Sequence, residues 1–257
     1  MKSKILLMAA SLLLAVSCGT VNKAYLAQGG QAALQAATIT DAQIRDYVHQ
    51  YIVQTDSTSS VAPADDAYTQ RLKNLTKGLE TVNGISLNFE VYKTTEVNAF
   101  ACADGSVRVY SGLMDLMTDN ELLGVVGHEI GHVALNHTRK QMQNALLTAA
   151  VLSGASAFST TVATLSESQL GTIGQAILSA QYSQKQEKEA DDYAYDFLKS
   201  SGKNPVCLMQ GFQKLQQLEG TSSAVDSWIT RIFSDHPDTA SRIARIQLKL
   251  AADGIKY

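Results

Sequence analysis

The segment from residue 118 to residue 134, TDNELLGVVGHEIGHVA, decides the fold of this 257-residue chain. Thr118 and Glu121 have the spacing of a capping box, in which two side chains satisfy the free backbone N–H groups at a helix start. Apolar residues then follow at helical spacing as far as Val133. We therefore predict a helix that begins after Thr118 and carries the whole remainder of the segment.

This predicted helix carries a metal-binding motif, His128-Glu129-Ile130-Gly131-His132. Residues four apart share a helix face, so both imidazoles can reach one ion. A catalytic zinc site keeps one position for water, and Glu129 would lie beside that water and accept its proton. This is the chemistry of peptide-bond hydrolysis. The alternative is a surface helix with two unrelated histidines.

A third protein ligand is required. One known extension of the motif places Gly at 135 and His at 138, and Leu135 and Thr138 exclude it. His137 lies about 140° around a continuous helix from His132. It therefore cannot share the ion, and we interpret it as structural or solvated.

Glu187 is the better candidate for the third ligand. Glu187 and Asp191 are four residues apart on a second predicted helix. Glu187 could bind the metal, while Asp191 could hold a ligand histidine through its other ring nitrogen. The alternative is that the charged run 184–192 is only a solvated face.

The remaining pattern predicts an α+β fold, a mainly helical domain with a small antiparallel sheet beside the metal-binding helix. Alternation over 87–91 indicates one strand, and Asp104-Gly105 indicates a hairpin between 97–103 and 107–110. A first helix is predicted to start after a capping box at Thr40, and a second over 68–80, with a loop over 55–67 between them. Most of the chain beyond Gly112 is also predicted to be helical, with breaks at 202–205 and around His236.

The first 17 residues, MKSKILLMAASLLLAVS, have two lysines, a short apolar run and small residues before Cys18. This pattern is typical of a cleaved signal, and the apolar run is short for a membrane span. We predict a lipoprotein signal over 1–17, a lipid-bearing Cys18, a tether over 18–39 and one metallopeptidase domain over 40–257. An ordinary secretory signal is the alternative.

Composition bears on three further points, namely nucleic-acid binding, the state of the cysteines and membrane insertion. The net charge of −3 gives no basic excess, so we expect no nucleic-acid partner. Cys102 and Cys207 could form a disulfide after export or remain as two buried thiols. The uncharged stretch 141–166 contains many Ser and Thr residues, so we interpret it as buried or surface-covering helices, with a membrane span as the alternative.

Several separated motifs resemble the gluzincin zinc metallopeptidases that include HtpX, the CAAX prenyl proteases and the mitochondrial protease Oma. These motifs are Asn98-Ala99-Phe100, Gly112-Leu113, the HExxH segment, Ser183 to Asp191, and His236-Pro237 with Arg242 downstream. The resemblance implies a zincin-like fold, one Zn²⁺ held by His128, His132 and Glu187, a catalytic base at Glu129, and Asp191 behind the ligands.

The resemblance also suggests roles for residues around the metal. His236 would either occupy the open metal position and restrain activity or stabilise the transition-state oxyanion, and a capped turn is the structural alternative. The strand of Asn98, Ala99, Phe100 and Ala101 would pair with an extended substrate backbone, or be an ordinary sheet edge. The segment 141–180 would fold over the cleft as a lid.

Three functions remain in competition. The first is a zinc endopeptidase that degrades unfolded or misassembled envelope proteins, anchored through Cys18 to the outer membrane and facing the periplasm. The second is a chaperone or binding lipoprotein whose cleft is held closed by His236. The third is a structural lipoprotein with a stabilising zinc, against which an intact Glu129 argues.

Overall fold

The computed structural model describes residues 39–144, 165–178, 181–221, 236 and 239–257. The predicted signal, Cys18, nearly all of the tether and the centre of the proposed lid lie outside these residues. The helices are α1 (Asp41–Thr58), α2 (Ala67–Thr76), α3 (Ser111–Leu116), α4 (Asp119–Ala134), α5 (Glu167–Leu178), α6 (Gln184–Ser200), α7 (Val206–Thr221) and α8 (Thr239–Ala252), with a further helical stretch over 137–144. The strands are β1 (Thr81–Val82), β2 (Ile85–Ser86), β3 (Asn88–Tyr92), β4 (Ala99–Ala101) and β5 (Ser106–Tyr110).

The first helix starts as predicted but ends later. The Thr40 hydroxyl accepts a hydrogen bond from the Gln43 backbone N–H, and the Gln43 side chain accepts one from the Thr40 backbone in return. The prediction of a loop from residue 55 was wrong, because α1 continues to Thr58. The hydroxyls of Thr55 and Thr58 donate to carbonyls one turn earlier, so these polar residues stay within the helix.

The second helix is shorter than the predicted 68–80 and is followed by a hairpin that we did not predict. Gly78 has a φ of 86°, a left-handed conformation that ends the helical run. Asn83 and Gly84 are also left-handed, with φ values of 47° and 77°, and they join β1 to β2. Two successive positive φ values are typical of the tight turn favoured in hairpins.

The sheet beside the metal-binding helix is mixed rather than purely antiparallel, with the order β3-β5-β4. Strands β4 and β5 form the predicted antiparallel hairpin, with Phe100 opposite Arg108. Strand β3 runs parallel to β5, with Phe89 opposite Val107. The prediction of an antiparallel sheet was wrong for β3. After β3 the chain forms β4 on the opposite side of β5 and then turns back into β5, so β3 and β5 run in the same direction. The α+β class is confirmed.

Helix α4 begins at the predicted capping box. Thr118 accepts from the Glu121 backbone N–H, and the Glu121 carboxylate accepts from the Thr118 N–H at 2.7 Å. The helix is buried from Leu122 to Ala134 and packs against α6, α7 and β4.

Glycines on α4 allow this close packing. A Cβ on Gly124 would lie 2.1 Å from the Cys207 carbonyl oxygen of α7, and one on Gly131 would lie 2.6 Å from the Ala190 carbonyl oxygen of α6. Real side chains cannot occupy that space, so α4 approaches these two helices only because both positions are glycine.

Two further predictions concern the cysteines and the membrane. Cys102 and Cys207 are both buried free thiols, so the disulfide alternative is not realised in this structure. Within the described ranges, no helix combines the length and the apolar character that crossing a bilayer requires.

Candidate metal centre

Four side chains from three parts of the chain meet beside α4. The Nε2 atoms of His128 and His132 lie 3.0 Å apart. Glu187 of α6 places Oε1 3.3 Å from His132 Nε2 and Oε2 3.4 Å from His128 Nε2. His236 Nδ1 lies 3.2 Å from His128 Nε2 and 3.1 Å from Glu187 Oε1. The candidate ligand atoms all lie within 4.8 Å of one another, so one ion could contact them together.

The chemistry of this donor set fits a divalent metal. Imidazole nitrogen and carboxylate oxygen are ligands that Zn²⁺ accepts. His128, His132 and Glu187 are at most 2% exposed, so water does not satisfy them. Buried Glu187 Oε2 accepts no hydrogen bond from the described residues, although Arg242 lies against it. That oxygen is paired with the Arg242 guanidinium, and the ionised carboxylate lies beside imidazole nitrogens with which it can share a cation.

The protonation states also suit a cation. Burial lowers the pKa of His132 well below its usual value, which leaves a neutral imidazole. Burial and Arg242 oppose a charge on His128, yet Glu187 and Asp191 outweigh them and raise its pKa to about 9. Burial disfavours ionised Glu187, but His236 and His128 hold its pKa below the usual range. Without a metal, His128 therefore carries a proton, and a bound divalent ion would displace that proton and supply the positive charge in its place.

Asp191 lies behind His128, as predicted. Its Oδ1 is 3.0 Å from His128 Nδ1, the ring nitrogen that faces away from the cluster. Arg242 donates two hydrogen bonds to the same carboxylate, at 3.0 and 2.7 Å, and Arg245 donates another at 2.9 Å. Burial would raise the pKa of Asp191, but Arg242 and His128 lower it to about 2. The carboxylate is thus ionised and can fix the orientation of His128.

Arg242 is a site residue to which sequence reasoning gave no role. Its guanidinium also lies 4.1 Å above the centroid of the Phe212 ring, so two helices fix its position. In the sequence, the signal for a role of Arg242 in the site was its position downstream of His236-Pro237.

His137 is buried against His132, which the sequence interpretation did not foresee. It lies outside the four-residue ligand group, as predicted, but it is only 3% exposed, so the solvated alternative is wrong. Its Nδ1 is 3.1 Å from His132 Nδ1, and its Nε2 is 3.4 Å from Glu189 Oε2. The 140° separation expected between His132 and His137 assumed a continuous helix. It does not hold here, because α4 ends at Ala134 and Asn136 adopts a left-handed φ of 58°.

Glu129 and His236 face each other at the border of the cluster. Glu129 Oε1 lies 3.6 Å from His236 Nε2. Glu129 is 5% exposed, and burial raises its pKa against the lowering effect of His236 and His128. His236 is thus within reach of Glu129, His128 and Glu187, and both of its predicted roles remain geometrically possible.

The predicted substrate strand borders the same cavity as the cluster. Asn98, Ala99, Phe100 and Ala101 line it together with His128, Glu129 and His236. Its apolar walls include Leu113, Val125, Phe212 and Leu215. The candidate metal centre therefore opens into a largely apolar cleft with a strand along one side.

Comparisons with known proteins relate this chain to a peptidase family. The model of "Peptidase family M48" matches residues 67–249. The chain is 43% identical over 259 residues to Metalloprotease LoiP of Escherichia coli (strain K12), with 100% of both chains covered. It is 39% identical over 224 residues to Metalloprotease YcaL of the same strain, with 87% of this chain and 86% of the relative covered. The crystal structure of S. mikatae Ste24p superposes with a TM-score of 0.46 and 18% identity, over 77% of this chain and 54% of that one.

The family match includes every residue of the four-membered donor group, and the two bacterial relatives extend over most or all of the chain. The chain therefore belongs to peptidase family M48 and is a metalloendopeptidase.

Proposed function

We propose that the chain is a zinc-dependent endopeptidase in which His128, His132 and Glu187 hold the metal and Glu129 is the catalytic base. The observation that carries this proposal is the meeting of the four donor side chains within 4.8 Å of one another. Glu129 lines the cleft into which that group opens. A purely structural zinc site has no need of a carboxylate in this position.

Zinc, when bound, would polarise the substrate carbonyl and make a nearby water more acidic. Glu129 would take a proton from the attacking water and pass it to the departing amine. Its raised pKa brings it closer to neutrality, where a general base transfers protons most effectively. Asp191 would hold the His128 ring through Nδ1, which leaves Nε2 facing the donor group.

The substrate class is an extended segment of an unfolded or misassembled protein. In the β4–β5 hairpin, Tyr110 N–H donates to Asn98 O and Cys102 N–H donates to Ser106 O. Asn98 and Cys102, which flank β4, therefore bond to β5, and the main chain of Ala99 and Ala101 points to the opposite side. Main-chain pairing on that side would bind many sequences and would require an extended substrate.

We place the protein in the bacterial envelope, at the outer membrane on its periplasmic side, through a lipid on Cys18. Support for this comes from the signal pattern over 1–17 and the cysteine that follows it. Envelope proteins that have lost their structure would then be the natural substrates.

The function is tested by degradation of an unfolded protein with the metal-loaded full chain, beside Glu129→Gln and the control Asp65→Asn, which removes an exposed carboxylate between α1 and α2. Removing a positioned base typically costs about 10²–10⁴-fold in rate. We expect that loss in Glu129→Gln with zinc content unchanged, and normal rates in the control. An inactive wild-type protein at full metal loading would contradict the proposal.

A second candidate is a binding or chaperone lipoprotein with little turnover. It is favoured by the position of His236, whose Nδ1 lies within the ligand group. If that contact persists on the metal, the open position is filled and hydrolysis is suppressed. His236→Ala then separates the candidates, because a closed site would become active.

A further inference from the structure

We propose that His137 is a positioning residue that orients His132 toward the metal. His132 donates its Nδ1–H to His137 Nδ1, and His137 Nε2 faces the Glu189 carboxylate. The inference rests on the proposed function, because it takes His132 as a metal ligand through Nε2.

The direction of this hydrogen bond follows from His132. Its Nε2 faces the donor group, 3.0 Å from His128 Nε2 and 3.3 Å from Glu187 Oε1. A metal bound there occupies that lone pair, so the proton of the neutral ring resides on Nδ1. His132 Nδ1 is 3.1 Å from His137 Nδ1, and of two ring nitrogens this close one must donate and the other accept.

The same logic fixes the proton on His137. If His137 Nδ1 accepts, its own proton must lie on Nε2, which is 3.4 Å from Glu189 Oε2. An ionised carboxylate has no proton to donate, so a proton on His137 Nε2 faces Glu189 without a conflict. One assignment of protons satisfies every nitrogen in the series.

The two ligand histidines are therefore supported differently. His128 meets its carboxylate directly, since Asp191 Oδ1 is 3.0 Å from its Nδ1. His132 reaches a carboxylate only through a second imidazole. The carboxylates behind the two histidines, on Asp191 and Glu189, and the candidate ligand Glu187 all come from α6. A hydrogen-bonded partner behind a metal-bound histidine fixes its tautomer and ring orientation.

Packing holds the His132 ring in the same orientation. Tyr182 stacks on one face with a centroid separation of 3.7 Å and an interplanar angle of 26°. His137 meets the ring at its Nδ1 edge, with the two ring planes inclined at 63°. Asn136, with its left-handed φ of 58°, turns the chain so that His137 returns over α4.

The inference is tested by zinc affinity, measured by chelator competition on the full chain. His137→Leu removes the acceptor for His132 Nδ1–H and the contact with Glu189, while His137→Asn keeps an acceptor near the position of Nδ1. Lys185→Ala is the control, because it removes an exposed charge 3.7 Å from Glu189 and leaves His137 and its contact with His132 in place. We expect His137→Leu to weaken binding about 10–100-fold, and the other two variants to stay within about threefold of wild type.

A second measurement tests the proton assignment itself. Nitrogen-15 NMR of histidine-labelled, zinc-loaded protein reports which ring nitrogen carries the proton. We expect His132 protonated at Nδ1 and His137 at Nε2. A proton on His137 Nδ1, or unchanged zinc affinity in His137→Leu, would overturn the inference.

The outcomes also separate this inference from the proposed function. If the wild-type chain and His132→Ala bind zinc equally, the proposed ligand set is wrong. If His132→Ala loses zinc while His137→Leu binds it normally, only the positioning role is wrong. Thermal unfolding of the metal-free variants shows whether His137→Leu still folds, and equal losses in His137→Leu and His137→Asn would contradict a role for the acceptor.

Discussion

Gly131 on α4 lies directly against Ala190 on α6, so that a Cβ on Gly131 would be 2.6 Å from the Ala190 carbonyl oxygen. This contact sets the separation of the two helices. Since α4 carries the histidines and α6 carries Glu187, it also sets the distances between the candidate ligands. Gly131, the residue directly before the second histidine of the motif, thus sets the spacing between the two helices that carry the candidate ligands.

Gly131→Ala should therefore weaken zinc binding without altering any ligand. The added methyl group forces the helices apart, and we expect a loss of about 1–3 kcal/mol in the free energy of unfolding. Metal affinity should fall by about tenfold, as for other disturbances of the ligand surroundings. Both are measured on purified protein by urea unfolding and chelator competition.

Gly171→Ala on α5 is the matched control, because a Cβ there meets nothing within 4 Å. It should stabilise the helix by about 0.5–1 kcal/mol. Equal zinc affinity in Gly131→Ala and Gly171→Ala would mean that helix separation does not control the site.

Asp191→Asn should reduce zinc affinity about 10–100-fold, because His128 loses its charged acceptor and two arginines lose theirs. The control is Asp192→Asn, which alters a neighbouring carboxylate paired with Arg245 and Lys249 at the half-exposed edge of α6. Titration calorimetry of zinc into the two variants makes the comparison. Similar affinities for both would show that Asp191 does not support the metal site.

His236→Ala should raise the rate of peptide cleavage and lower zinc affinity only slightly. The reason is that His236 Nδ1 lies among the ligand atoms, 3.1 Å from Glu187 Oε1, where it competes with substrate for the open position. Steady-state kinetics with a short peptide measures the effect. A fall in kcat at unchanged zinc affinity would instead indicate an oxyanion donor.

Asp56 should make stability depend on pH, away from the metal. It binds Arg108 through two hydrogen bonds, at 2.9 and 2.7 Å, and Arg108 is 2% exposed. Burial raises the pKa of Asp56, but the hydrogen bonds from Arg108 and Tyr92 outweigh it and leave the pKa lowered. A lowered folded-state pKa adds stability above the unfolded value near 4, and that stability is lost as the pH falls below it.

Asp56→Asn should accordingly lower the free energy of unfolding by about 2 kcal/mol at pH 7. The difference from wild type should shrink as the pH falls below about 4, where the unfolded chain takes up the proton first, and it should vanish once the folded carboxyl, whose pKa is lower, is also protonated. Urea unfolding in the presence of a chelator measures both. A difference that stays constant over this range would show that the charge of Asp56 contributes nothing.

Much of the site could be predicted because it depends on spacing within single helices. The capping box at Thr118, the pair His128 and His132, and the pair Glu187 and Asp191 are local patterns, and the structure brings them together. Two such pairs of titratable side chains in one chain favour a functional site over two unrelated solvated faces.

The rest depends on where the chain leaves regular structure. His137 reaches His132 only because Asn136 takes a left-handed conformation after α4 ends. Strand β3 is parallel to β5 because the chain crosses over between residues 92 and 99, and residues 93–96 of this connection belong to no predicted element. Arg242 meets Asp191 through the packing of α8 on α6, a contact between distant segments.

The binding of one zinc ion by His128, His132 and Glu187 is tested most directly by anomalous diffraction at the zinc absorption edge, on crystals of the metal-loaded protein. We predict one strong peak between His128 Nε2, His132 Nε2 and the Glu187 carboxylate, beside Glu129. A peak at another place on the protein, or a fully loaded crystal with no peak between these three side chains, would contradict this ligand set.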